Sequence, residues 1–282
     1  MKNQQQRFIP PQGGERYSHE WIPAESPEFC LLIIHGLADH IGRFDYLAEY
    51  LCRHRISVAG FDLEGNGQSP GRRGHFSSLE KVWEEMSAYI RSLRTRFPGL
   101  PVILYGQSMG GNLAMNFGIR YPGEADGIIA SSPWIRLTRP PSKALLIPLR
   151  ILHSLLPNML LNNGVKGSDL SHDPKIATRY HSDPLVHGKI SLRTFFLITH
   201  AGEYLLRHAN KLNTPLLLMH GTADPVTSYE ASKAFFCNLP PSRFHLPTHL
   251  LLSWPGLFHE LHNEREKDKV IEAVIGWIKR ET

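Results

Sequence analysis

Val102-Ile103-Leu104-Tyr105-Gly106-Gln107-Ser108-Met109-Gly110-Gly111 is the stretch on which the fold turns. Its first four residues are apolar without alternation, as in a strand buried on both faces. From residue 110 to 121 the pattern becomes that of a helix. Between strand and helix stands a serine in a Gly-x-Ser-x-Gly turn. Small flanking residues let the two backbones approach and leave the Ser108 hydroxyl exposed at the C-terminal end of the strand. The helix N-terminus behind it favours developing negative charge. This order of elements predicts a nucleophile elbow with Ser108 as nucleophile.

The same rhythm runs outward in both directions. Residues 31–34, 57–61, 127–130, 216–219 and 250–252 read as further buried strands, and 17–22 as an antiparallel edge strand. A helix is expected from Ser77, which makes a capping-box pattern with Glu80. Leu79, Val82, Met86, Ile90, Leu93 and Phe97 follow at helical spacing, and Pro98-Gly99 ends it. Residues 264–280 read as the last helix. The alternation predicts one α/β domain over residues 1–282, built on a mostly parallel, doubly wound sheet. From Pro133 the rhythm breaks, and the strand pattern resumes only at Leu216. Residues 134–209 are therefore expected to be an insertion folding over the sheet.

Composition narrows the function classes. Of 282 residues 41% are hydrophobic, which excludes a disordered chain. Lys+Arg exceed Asp+Glu by 31 to 26, but no basic block has the length of a nucleic-acid arm. Nucleic acid is not an expected partner, whereas weak attraction to an anionic membrane surface is compatible with the charge. Cys30, Cys52 and Cys237 are an odd set without a CxxC pair, which suits a reducing compartment. The apolar segment 144–161 is interrupted by Pro148, Arg150, His153 and Pro157, short of the ~18 uninterrupted residues of a membrane span. Residues 1–12 lack the apolar core of a signal peptide. A soluble, cytoplasmic protein is expected.

A serine hydroxyl needs a base, and the base an orienting acid. Asp224 lies in Gly221-Thr222-Ala223-Asp224-Pro225, directly after the strand at 216–219 and on the same sheet edge as Ser108. It is the expected acid, with capping of a helix near Ser228 or stabilisation of the turn as its alternative role. His259 follows the last strand and precedes the last helix, which selects it among sixteen histidines; His262 is its competitor. The oxyanion calls for preorganised N–H donors. Met109, after the nucleophile, supplies one. Leu37, in His35-Gly36-Leu37 after the strand at 31–34, supplies the other. Neither a metal nor a cofactor is expected. His259 and His262 are three apart, not the four of a zinc-binding helix, and Pro247 separates His245 from His249.

With these pieces in view, the chain resembles the α/β-hydrolase superfamily, and more narrowly the monoacylglycerol lipase and lysophospholipase group of serine hydrolases. The resemblance rests on His35-Gly36-Leu37-Ala38-Asp39-His40 with Arg43-Phe44, on residues 61–69, on residues 106–111, on His220-Gly221-Thr222-Ala223-Asp224, and on Gly256-Leu257-Phe258-His259-Glu260-Leu261. It implies a Ser108–His259–Asp224 triad cleaving a monoacylglycerol or lysophospholipid ester through an acyl-enzyme. Short-chain esters, thioesters and acyl transfer remain open on the same triad, and a non-catalytic ligand-binding scaffold is the reading from another class. Proline-releasing aminopeptidases of the fold carry a glycine-rich run that Leu37-Ala38-Asp39 does not match. The chain departs from the group at Asn66 and Glu64, in a loop expected to border the site and bear on substrate preference. The resemblance also implies that the insertion is a helical cap, or lid. Leu145, Leu146, Leu149, Leu152, Leu156 and Leu160 form one apolar face there, directed at an acyl chain, at a lipid surface, or at the body.

Overall fold

Every residue of the strand that precedes Ser108 is buried, as are those of its neighbours on either side apart from the half-buried Phe29. The computed structural model describes residues 1–10, 14–240 and 249–281. In chain order its elements are β1 (Lys2–Phe8), β2 (Arg16–Ile22), β3 (Phe29–Ile34), α1 (Asp45–Arg53), β4 (Ile56–Phe61), α2 (Leu79–Arg96), β5 (Val102–Gln107), α3 (Met109–Arg120) and β6 (Gly127–Ser131). Then come α4 (Lys143–Leu155), β7 (Leu160–Asn162), α5 (Pro174–Ser182), β8 (Lys189–Ser191), α6 (Leu192–His208), β9 (Leu216–Gly221), α7 (Tyr229–Cys237), β10 (His249–Trp254) and α8 (Lys267–Glu281).

Eight strands form one sheet in the order β1-β2-β4-β3-β5-β6-β9-β10. β3 to β6, β9 and β10 are parallel; β2 runs antiparallel to both β1 and β4. Side chains alternate across the sheet, so each face has its own core. Leu32 and Leu104 point to the layer of α2, α3 and α6, with Trp83, Leu113 and Ile198. Leu31 and Ile103 point to the layer of α1 and α8, with Leu51, Val274 and Trp277. Fully burying each large apolar side chain contributes about 1.5–3 kcal/mol, which explains why unbroken apolar runs became the central strands.

Three expectations need correction. The strand at 17–22 is antiparallel but not an edge. β1 covers it, pairing Lys2 with Ile22 through to Phe8 with Arg16. β1 is polar and exposed, so no hydrophobic pattern announced it. The cap of α2 is Ser78, whose hydroxyl accepts from the Lys81 N–H, not Ser77 paired with Glu80. One residue of offset puts Leu79 inside the first turn, where it is buried. Finally, neither Glu64 nor Asn66 lines the large cavity. Glu64 pairs with Lys81, and Asn66 turns its amide onto the Glu64 carbonyl. His245, weighed above as a metal ligand, lies outside the described residues.

Between β6 and β9 the chain builds α4 to α6 and the small β7–β8 pair. α6 packs against α3 and adds Ile198, Ala201 and Leu205 to the main core. The stretch before it is different. α5 contributes Ile176 and Tyr180 to a small separate cluster with Leu170. α4 buries no residue at all. No helix among the described residues is long and apolar enough to cross a membrane.

Candidate active site

Ser108 sits at the junction of β5 and α3 with φ +56° and ψ −117°, a conformation strained for a non-glycine residue. The surroundings hold it there. Its N–H donates to Ser131 O at 2.9 Å, and its carbonyl accepts from Trp134 N at 2.9 Å. The turn closes only because its flanks are glycine. A Cβ on Gly110 would lie 1.9 Å from Ile34 O, and one on Gly106 would lie 2.3 Å from Gly110 O.

Gly36 carries the other half of the pocket floor. A Cβ there would meet the Gln107 side chain at 2.6 Å and Ser108 Cβ at 3.4 Å, so the Gly36–Leu37 peptide lies directly against the serine. Met109 opens α3, where backbone N–H groups have no intrahelical acceptor. Leu37 and Met109 thus flank Ser108 from two different loops, an arrangement suited to holding an oxyanion.

Asp224 follows β9, and its carboxylate is fully enclosed. Oδ1 accepts from Val226 N at 2.7 Å and Thr227 N at 3.0 Å. Oδ2 accepts from Thr227 Oγ1 at 2.9 Å and faces His259 Nδ1 at 2.8 Å. Helix capping belongs to Ser228 instead, which accepts from Ala231 N. Burial opposes ionisation of Asp224, but His259 and His220 beside it hold the carboxyl well below the usual carboxylate range. Burial likewise opposes a charge on His259, yet the Asp224 carboxylate outweighs it and raises the imidazole above its ordinary value. His262, the competing histidine, stacks on Phe44 at 4.7 Å, and burial pushes it down to about 4. It does not touch Asp224.

Ser108 and His259 line one cavity of about 620 Å³. No hydrogen bond joins their side chains among the described residues; such bonds are often long before substrate binds and tighten afterwards. The cavity lining is apolar at Leu137, Leu145, Leu149, Leu161, Leu192 and Phe195. It also holds a polar cluster of residues that had no assigned role in the sequence. Arg43 bridges Asp39 (3.0 Å) and Glu260 (2.8 Å), tying the Leu37 loop to the His259 loop. Its guanidinium lies 5.3 Å from the Tyr180 ring centre, and the Asn163 side chain reaches the Tyr180 hydroxyl. Arg43 and Glu260 stand within the motifs quoted above; Thr227, Asn163 and Tyr180 had no local signal, because only chain folding brings them here.

A family model described as serine aminopeptidase, S33, matches residues 25–266. The chain belongs to this α/β-hydrolase family. Within it, the chain falls in the monoacylglycerol lipase-like group. It is 30% identical over 268 residues to the monoacylglycerol lipase of Mycolicibacterium smegmatis, covering 94% of each chain. It is equally 30% identical to the human monoglyceride lipase, covering 93% of this chain and 86% of that one. The crystal structure of Paleococcus ferrophilus monoacylglycerol lipase superposes with a TM-score of 0.85 at 28% identity, over 95% of this chain and 100% of the other.

Proposed function

We propose that this serine carboxylic-ester hydrolase cleaves monoacylglycerol-type esters at the floor of the large cavity. Ser108 attacks the ester carbonyl while His259 Nε2 takes its proton. Asp224 orients His259 and stabilises the imidazolium. The N–H groups of Leu37 and Met109 hold the oxyanion. His259 then protonates the departing alcohol, and water cleaves the acyl-enzyme by the same steps in reverse.

The single observation that carries this reading is that one cavity holding Ser108 and His259 is lined both by leucines and phenylalanine and by the Arg43–Asp39–Glu260–Tyr180 cluster. The apolar lining suits an acyl chain. The polar cluster with Arg43, Asn163 and Tyr180 suits a small polyol leaving group. Residues 134–209 act as the cap, since Leu145, Leu149 and Leu161 of that segment form much of the apolar lining. The outer side of α4 has a second role. Ile147, Ile151 and Leu155, at i, i+4 and i+8, are 63%, 60% and 72% exposed. Residues 134–209 hold ten Lys/Arg against four Asp/Glu, a net +6, so the rest of the chain carries −1 of the total +5. An apolar stripe on a basic segment suits transient docking on a lipid surface.

The aminopeptidase in the family description supplies the competing reading. Such an enzyme needs an acid free to bind a substrate ammonium; Asp39 and Glu260 are both engaged by Arg43, which leaves only Asp169 of the cavity's acids without an ion pair among the described residues. A ladder of nitrophenyl esters, monoacylglycerols, lysophospholipids and aminoacyl amides separates these readings, with Ser108→Ala as the blank. Long-chain monoacylglycerol is expected to turn over fastest and Ser108→Ala to lose several orders of magnitude. Wild-type turnover by Ser108→Ala sinks the nucleophile assignment. Activity confined to amides or to short esters sinks the substrate assignment.

A further inference from the structure

The imidazole of His220 is fully buried at the end of β9, and the triad steps above make no use of it. Nε2 lies 3.1 Å from Asp224 Oδ2 and 3.0 Å from the Thr227 carbonyl oxygen. These two only accept, so the proton sits on Nε2 and is shared between them, with the Thr227 hydroxyl 3.4 Å away. Nδ1 lies 2.8 Å from Ser232 Oγ, which can donate to it. The surroundings therefore fix a proton on Nε2.

Asp224 Oδ2 thus receives two imidazole N–H groups, from His259 at 2.8 Å and His220 at 3.1 Å, besides the Thr227 hydroxyl. Position alone does not require the second histidine, because Val226 N, Thr227 N and Thr227 Oγ1 already hold the carboxylate. A further donor on Oδ2 changes the charge that the oxygen presents. It stabilises the carboxylate by itself and so weakens the pull on the His259 imidazolium. Other groups cannot easily do this. Asp224, Glu260, Asp39 and His262 are the titratable groups acting on His259, and Arg43 neutralises both Glu260 and Asp39. His220 itself faces Asp224 and, on α7, Tyr229 with ring centres 6.0 Å apart.

We propose that His220 is a positioning residue acting through the acid: its Nε2–H shares Asp224 Oδ2 with His259 and keeps the base available near neutral pH. The inference rests on the triad reading above. Its test compares His220→Phe, which keeps a ring and drops the donor, with His220→Gln, whose amide N–H and oxygen replace Nε2–H and Nδ1. The measurement is kcat/KM against pH on a soluble nitrophenyl ester, with Tm recorded alongside.

His220→Phe is expected to move the acid limb up by about half to one pH unit, so that at pH 6 its rate, normalised to its own plateau, falls about 3–10-fold below that of the wild type normalised in the same way. His220→Gln is expected to keep the wild-type limb. An unmoved limb in the Phe variant overturns the proposal whatever happens to Tm, since a purely structural role predicts that result. A Gln variant displaced as far as Phe also overturns it. Should the Phe variant fail to fold, nitrogen NMR of the wild type decides. A neutral Nε2–H ring at His220 between pH 6 and 8 supports the proposal, and an Nδ1–H or charged ring overturns it. Failure of the triad itself is distinguishable, because it appears as turnover by Ser108→Ala.

Discussion

The acid loop and helix α4 border the same cavity and are held by opposite means. Asp224 has all its carboxylate lone pairs engaged inside a dry, close-packed shell. α4 buries no residue, keeps Pro148 in its interior at the loss of a helical hydrogen bond, and is apolar towards both the cavity and solvent. The loop that carries the proposed acid is thus over-determined before any substrate arrives, and preorganised dipoles need not rearrange during reaction. α4 lacks that anchoring. Elements with few buried contacts open at low free-energy cost, which fits the role proposed for α4 in admitting a long chain and docking on a lipid surface.

The largest expected effect attacks the rigid side. Asp224→Asn should lower kcat by about 10³–10⁴-fold on every ester, because the histidine loses its orienting carboxylate. Equal kcat in single-turnover assays would remove Asp224 from the mechanism. Arg43→Met should follow, losing about 3–5 kcal/mol of stability by leaving Asp39 and Glu260 buried without their partner. Urea unfolding checks this, and a change below 1 kcal/mol would show that the bridge is not needed. The pH profile sharpens the same side. His259 must be neutral to accept a proton, and Asp224 raises it. The acid limb of kcat/KM should therefore have its midpoint above about 6.5, with activity rising as pH rises through it. A midpoint below 6 contradicts an ionised Asp224 beside the base.

The flexible side predicts selective losses. Ile151→Asp with Leu155→Asp should leave soluble short-ester hydrolysis within about twofold and Tm nearly unchanged, since both residues are exposed. Turnover of vesicle-borne substrate should fall about tenfold as the stripe stops docking. Parallel loss on both substrates would place α4 with the catalytic machinery. The smallest effect belongs to Glu64→Gln, expected within about twofold on any substrate because Glu64 lies outside the cavity lining. A changed head-group preference would restore that loop to the site.

Where packing leaves one solution, local sequence was decisive. The unbroken apolar runs became β3, β5, β6 and β9. The glycines at 106 and 110 announced the elbow, since any Cβ there meets backbone. Chain order singled out Asp224 and His259, and the structure sets them 2.8 Å apart. Polar β1 was illegible, because its stability comes from pairing with β2 and not from its own side chains. The offset of the α2 cap was illegible too, since Ser77 and Ser78 are equally good acceptors until Leu79 is seen to be buried.

Read alone, the 282 residues determined the α/β fold, the elbow and the three residues brought forward as a triad. Each follows from short-range rules: apolar period, steric room at glycine, and the position of a residue after a strand. Tertiary structure alone decided that His220 reaches the acid, that Arg43 joins two loops, and that α4 shows apolar side chains to both cavity and solvent. A helical period specifies that a face is apolar but not what covers it. A histidine's partners depend on which distant loops the sheet brings to its edge.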